Sequence, residues 1–262
     1  MELIIRTRSH LSWQLRTFKN MLSRVPFATA AGTGALVLSR FAQLFSFFLP
    51  LKVLIMLSSD RVPRALTGLI TPENREVWLV VFSAATIVLY ASSVFLVTFA
   101  NRRITQGVDQ LLKTQEKLPK KEKRNLRKLY NTYCQASSDA MVFLLGAIGI
   151  AIINPVVLIG MILVVILELV VTGWVLESTI GGFVGWVRGG ITRNVNSYTQ
   201  YLGAANFLAL FVLIIIDYVI HGGLNVYVAI LTMILGRQAF GSLAKFVRRM
   251  LSLEGDGDEE EA

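Results

Sequence analysis

Cysteine occurs once in this chain, at Cys134, and histidine twice, at His10 and His221. A single cysteine excludes an internal disulfide and any cysteine-based metal cluster. The two histidines stand in no HExxH or histidine–carboxylate grouping, so no metal site is expected. His221 also lacks the serine or cysteine partner that nucleophilic catalysis requires. A G-x-x-x-x-G-K-[ST] phosphate loop is missing, and the glycine pairs have no lysine to meet phosphates. Charge is scarce as well, at 16% of the residues against 54% hydrophobic. A soluble domain of 262 residues would carry more charge and shorter apolar runs. The sequence gives no reason to expect an enzyme acting by itself, and no cofactor is expected.

The apolar runs are what is present. A hydrocarbon core of about 30 Å takes roughly 20 helical residues to cross. Six stretches meet that demand, and the chain reads as an all-α integral membrane protein. The spans are expected at 34–57, 78–100, 138–153, 155–176, 201–220 and 224–243. Only Asn154-Pro155 separates the third from the fourth. Proline cannot continue a helix without losing a hydrogen bond, and the residue before it avoids the helical region. A run of about 39 residues is too long for one crossing, so a tight hairpin is expected there.

The basic residues orient these spans. Five precede the first span (Arg6, Arg8, Arg16, Lys19 and Arg24), and ten lie between the second and third, from Arg102 to Lys128. Arg188 and Arg193 follow the fourth, and Arg237, Lys245, Arg248 and Arg249 close the set. The first outer loop has Arg61, Arg64 and Arg75, offset by Asp60, Glu73 and Glu76. With both termini cytoplasmic, every strongly basic segment falls on one side of a cell membrane, as in a bacterial inner membrane. The net charge of +9 is explained by orientation rather than by nucleic acid.

Three organisational units follow. Residues 1–25 form an N-terminal segment in which Leu11, Leu15, Phe18, Leu22 and Val25 share one helical face. They show no apolar core followed by a cleavage site, so no cleaved secretory signal is expected. Such a helix would lie on the inner leaflet with its cations near anionic lipid, or pack on a cytoplasmic partner. Residues 26–250 form the membrane domain, with a cytoplasmic loop over 101–137. That loop is expected to be two helices prolonging the second and third spans, joined at Leu118-Pro119. Its aromatics, Tyr130 and Tyr133, sit at one end rather than interleaved for stacking bases, so RNA is not expected. The loop is either a solvated, orienting segment or a docking site built on Lys120, Lys121, Lys123 and Arg124. The connection 177–200 holds five glycines, a density that favours a hinge, with Trp174 and Trp186 at headgroup level. Residues 251–262 form an acidic tail, EGDGDEEEA at its end, with a composition that predicts disorder.

Four charges fall inside the spans. Arg40 lies seven residues from the inner end of the first span and Glu168 eight from that of the fourth, about 10–12 Å deep at 1.5 Å per residue. Lys52 and Asp217 are matched near the outer surface. Intramembrane charges are costly and are usually paired or functional. The expected pairs are Arg40–Glu168 and Lys52–Asp217, within or between subunits. Lys52 and Asp217 have the alternative of reaching the headgroups. Asp139 stands too near a span end to belong with these. Glu168 is expected to line a cavity or bind a partner.

An interfacial helix, six spans and a long cytoplasmic excursion after the second resemble the transmembrane domain of ABC exporters. In that family the sixth span often ends in a "GRAL-PL" pattern leading to the ATPase domain. GGLNVYVAILTMILGRQAFGSLAKF, residues 222–246, is similar to the version in type I secretion exporters. Gly236 and Arg237 match directly. Ala239 and Leu243 match with one residue inserted after Arg237, and the family's proline is Ser242. The first span, LVLSRFAQLFSFFLPLKVLIMLSSD, looks similar too, with Pro50 before its outer end. The resemblance covers about residues 10–250. The family's ATPase domain is not in this sequence, and its long arm between the fourth and fifth spans is here about 24 residues. The resemblance implies a homo- or heterodimer whose ATPase is a separate subunit, docked on residues 107–130 with support from Lys245–Arg249. A non-transporting scaffold of an envelope or secretion complex is the rival reading. An ion-coupled carrier using Glu168 is a third.

Overall fold

The computed structural model describes residues 23–58, 74–114, 119–177, 195–221 and 226–258. Among these it is entirely helical: α1 (Pro26–Ser58), α2 (Arg75–Thr114), α3 (Lys120–Ile153), α4 (Pro155–Glu177), α5 (Val195–His221) and α6 (Val226–Asp258). The expected N-terminal helix over residues 11–25 lies almost wholly outside the described residues, as does most of the glycine-rich connection with Trp186. Four stretches are long and apolar enough to cross a membrane: Pro26–Leu54, Arg75–Lys113, Lys120–Ile153 and Ser197–Ile220.

Local sequence explains the helix ends. Pro26 opens α1 at the first helical position, where a missing N–H costs nothing. Arg75 and Glu76 open α2, and Lys113 sits in its last turn, where a cation complements the helix dipole. Pro119 is the N-cap of α3, in an extended conformation at φ −61°, ψ 156°, and its carbonyl accepts from the Lys123 N–H at 3.1 Å. The expected break at Leu118-Pro119 therefore separates two helices that continue the second and third spans. The hairpin at Asn154-Pro155 is also present: α3 ends at Ile153 and α4 begins at Pro155. α6 runs on to Asp258, into the tail expected to be disordered; residues 259–262 lie outside the described set.

The chain divides into two compact units, residues 27–110 and residues 111–262 with 1–26. In the first, α1 and α2 are antiparallel. A Cβ on Gly32 would lie 2.8 Å from Ile104 and 3.5 Å from the Ala100 carbonyl. Further along, the Ser39 hydroxyl donates to the Ser93 carbonyl at 2.9 Å, and Arg75 donates to the Met56 carbonyl. At the inner end the Arg103 guanidinium stands over the rings of Phe99 (5.0 Å) and Phe27 (5.7 Å). The ring faces attract the cation while its stem remains in apolar surroundings.

In the second unit α3 packs on α4 and α6, and α5 packs on α4 and α6, closing a ring of four helices. All neighbours are antiparallel, because residue numbers rise on one helix as they fall on the next. Gly146 faces Ala239 across α3 and α6, Gly160 faces Leu213 across α4 and α5, and Gly236 faces Leu210 across α5 and α6. A Cβ on Gly146 would come within 3.1 Å of the Ala239 Cβ, so the α3 and α6 backbones approach closely. Small residues at such crossings are the way helices pack where lipid removes the hydrophobic drive to associate.

Polarity is distributed in the reverse of a soluble bundle. Ser138, Asp139, Asn206 and Thr232 are buried, whereas Ile159, Leu163, Leu167 and Val170 of α4 are exposed, as are Val80, Ile87, Val88 and Phe95 of α2. A surface of this kind suits hydrocarbon rather than water.

Candidate intramembrane polar site

The four-helix unit holds three polar contacts between helices. At the inner end, Arg249 of α6 makes a hydrogen-bonded ion pair with Asp139 of α3. Asp139 lies on the stripe Asp139–Val142–Gly146–Ile150, whose spacing of three and four residues keeps one α3 face inward. Its carboxylate is fully buried, while the Arg249 side chain keeps 18% exposure. The arginine thus supplies the counter-charge from a position that still reaches the interface.

The second contact joins α4 to α5. Asn206 donates from Nδ2 to Oε2 of Glu168 at 3.2 Å. Asn206 is buried, and its Oδ1 has no hydrogen-bond partner among the described residues. Glu168 itself is half-buried, beside the exposed Ile166, Leu167 and Val170. One helix face away, the Arg237 guanidinium of α6 stands 6.0 Å over the Phe207 ring.

The third is at the outer end. The Asn154 carbonyl accepts from the Leu158 N–H at 3.3 Å, and its Oδ1 accepts from the Val157 N–H at 3.2 Å, capping α4. Its own N–H donates to the Ile150 carbonyl at 2.7 Å, finishing α3. The side-chain amide then donates to Asp217 Oδ2 on α5 at 2.6 Å. One residue closes two helices and ties their hairpin to a third. Asn206 and Asp217 are eleven residues apart on α5, about 16 Å along the axis.

Of the charges singled out in the sequence, Glu168 and Asp217 therefore hold amide partners within their own unit. Arg40 is half-exposed on α1, and Lys52 lies 5.2 Å over the Phe48 ring. The expected pairs Arg40–Glu168 and Lys52–Asp217 would each join one unit to the other and stand as proposals. Lys120, Lys121 and Arg124 are exposed on the first turns of α3, with Lys123 half-buried among them. Sequence reasoning set Asp139 aside as a span-end residue; its stripe with Gly146 and Ile150 was the signal that it faces inward. Asn206 and Asn154 were missed as partners. The buried series Thr199–Asn206–Leu210–Asp217 on α5, at spacings of seven and four, carried that information.

Four helices able to cross a membrane, around an interior that holds the polar side chains, define a helical membrane protein. Against protein-family models, curated proteins and solved structures, the chain matches none.

Proposed function

We propose that this protein is the membrane subunit of an ABC-exporter-like transport system that works with a separate ATPase. It crosses a cell membrane six times, with α4 and α6 added to the four helices above and both termini cytoplasmic. At 23 residues α4 is about 34 Å long, enough for a crossing. The observation that carries the reading is helix length beyond the membrane. α2 continues 14 residues past Ala100, α3 begins 18 before Ser138, and α6 runs 15 past Leu243, rigid extensions of about 21–27 Å. All three leave on the basic side. A helix that is merely anchored in lipid has no need of such levers; a subunit that receives motion from a soluble engine does. The exposed cations Lys120, Lys121 and Arg124 at the start of α3, with Lys123, provide the docking surface.

One observation favours the rival, a membrane scaffold without transport. α4 ends at Glu177, one membrane thickness from Pro155, without the long extension that reaches an ATPase in the exporters this chain resembles. Purification in mild detergent, with mass spectrometry and an ATPase assay on the associated proteins, separates the two. The transport reading expects a stoichiometric ATPase, lost when Lys120, Lys121, Lys123 and Arg124 are all changed to Glu. Co-purification of envelope proteins without ATP turnover would establish the scaffold in its place.

A further inference from the structure

The Glu168–Asn206 contact has the properties of a proton-binding site. A carboxylate within the hydrocarbon region is costly unless it is paired and well hydrogen-bonded. Among the described residues, Glu168 receives one hydrogen bond, the 3.2 Å contact from the Asn206 amide. The oxygen of that same amide is buried without a donor. A carboxylate cannot supply one, since it is an acceptor only. A protonated carboxyl can. If the amide turns over about its side-chain axis, the carboxyl O–H donates to Asn206 Oδ1, and the buried oxygen gains the partner it lacks. With the proton gone, the amide turns back and its N–H donates to the carboxylate, as found. One asparagine thus serves both states of one glutamate.

The other charges near this level are committed elsewhere. α3, packed on α4, carries Asp139, which is bound to Arg249 of α6. On α5, packed on the opposite side, Asp217 stands eleven residues away with Asn154. Arg237 of α6 stacks over Phe207, next in sequence to Asn206. Glu168 also borders the exposed α4 face formed by Ile166, Leu167 and Val170, which gives it access from the lipid side.

We infer that Glu168 and Asn206 form an intramembrane site that binds and releases a proton, with the Asn206 amide turning to follow it. The inference goes beyond the ATPase-docking reading and holds whether or not an ATPase binds.

The probe is dicyclohexylcarbodiimide, which partitions into membranes and adds to protonated carboxyls to leave a stable N-acylurea. Membranes containing the full chain are labelled at several pH values and the adduct is mapped by mass spectrometry. At pH 7 an ordinary glutamate, ionising near about 4.3, is protonated in roughly one molecule in 500 and reacts little. The expected result is strong labelling at Glu168 at pH 7, falling about tenfold or more by about pH 9 as the proton leaves. Asp139, held by Arg249, stays unlabelled. Asn206→Leu removes the amide N–H that stabilises the ionised form, so labelling persists to higher pH; an unchanged profile would overturn the role of Asn206. Two further outcomes would overturn the inference. Labelling that is absent in the wild type but appears in Arg40→Gln means that Glu168 is ionised and paired with Arg40. Protection by sodium, but not choline, at constant pH means that the site takes a metal cation. The main readout is on the wild-type chain and does not depend on a variant folding.

Discussion

The Asp139–Arg249 pair makes a prediction whose asymmetry can be worked from burial alone. Asp139 is 0% exposed and Arg249 18%. Arg249→Met removes the cation and leaves a carboxylate enclosed between α3 and α6, a change that costs about 3–5 kcal/mol for a buried pair. Asp139→Asn removes the anion instead. The amide remains able to hydrogen-bond, and the guanidinium can swing to the interface, so the loss is about 1–2 kcal/mol. The double variant should resemble Asp139→Asn alone, because the second substitution no longer strands a charge. The resulting coupling is about 2–3 kcal/mol. For a chain of this size about 2–4 °C of melting temperature corresponds to 1 kcal/mol. Arg249→Met should therefore lower the melting temperature by about 10 °C and Asp139→Asn by about 4 °C. The measurement is thermal challenge in mild detergent, followed by fluorescence-detected size exclusion. Equal losses for the two single variants would refute the burial argument. Additive losses, with a coupling below about 0.5 kcal/mol, would show that the two residues do not hold each other.

Two glycines on neighbouring helices should respond to alanine with opposite signs. At Gly236 a Cβ would sit 2.4 Å from Leu210 Cδ2, and Leu210 is fully buried, so Gly236→Ala should destabilise by about 1–2 kcal/mol after its gain in helix propensity. At Gly203 nothing lies within 4 Å, and Gly203→Ala should stabilise by up to about 1 kcal/mol; the same thermal assay reads both signs. Asn154→Ala removes the α4 cap and the donor to Asp217 together. It should cost about 2–3 kcal/mol and expose the hairpin to protease added from outside, and resistance equal to wild type would count against the junction described.

Much of this architecture was legible before any coordinates. The Asn154-Pro155 break was readable because proline acts through its own ring and missing N–H, a local effect independent of what packs nearby. The same holds for Pro119, which separates the helices continuing the second and third spans. The continuation of α2 to Thr114 followed from apolar spacing, and Ile104, Val108 and Leu111 do form its buried stripe. Asp139 was less legible. Distance from a span end suggested a headgroup position, but the face on which a residue lies counts for as much as its depth, and that face turned it toward Arg249, 110 residues away.

The partners of the intramembrane polar groups show where sequence information stops. Depth along a helix follows from residue counting at 1.5 Å each, so Glu168 and Asp217 could be assigned levels from the sequence alone. Their neighbours could not, because several residues share every level, and matching by charge favoured Arg40 and Lys52. Within the four-helix unit the partners are the neutral amides Asn206 and Asn154, selected by which helix faces which. Sequence by itself determined that this chain enters a membrane, where its turns fall and which side its cations occupy, because those depend on local chemistry and summed hydrophobicity. Tertiary structure alone decided which polar groups meet, because a hydrogen bond is settled within about 3 Å by the packing of glycines such as Gly146 and Gly236 against another helix.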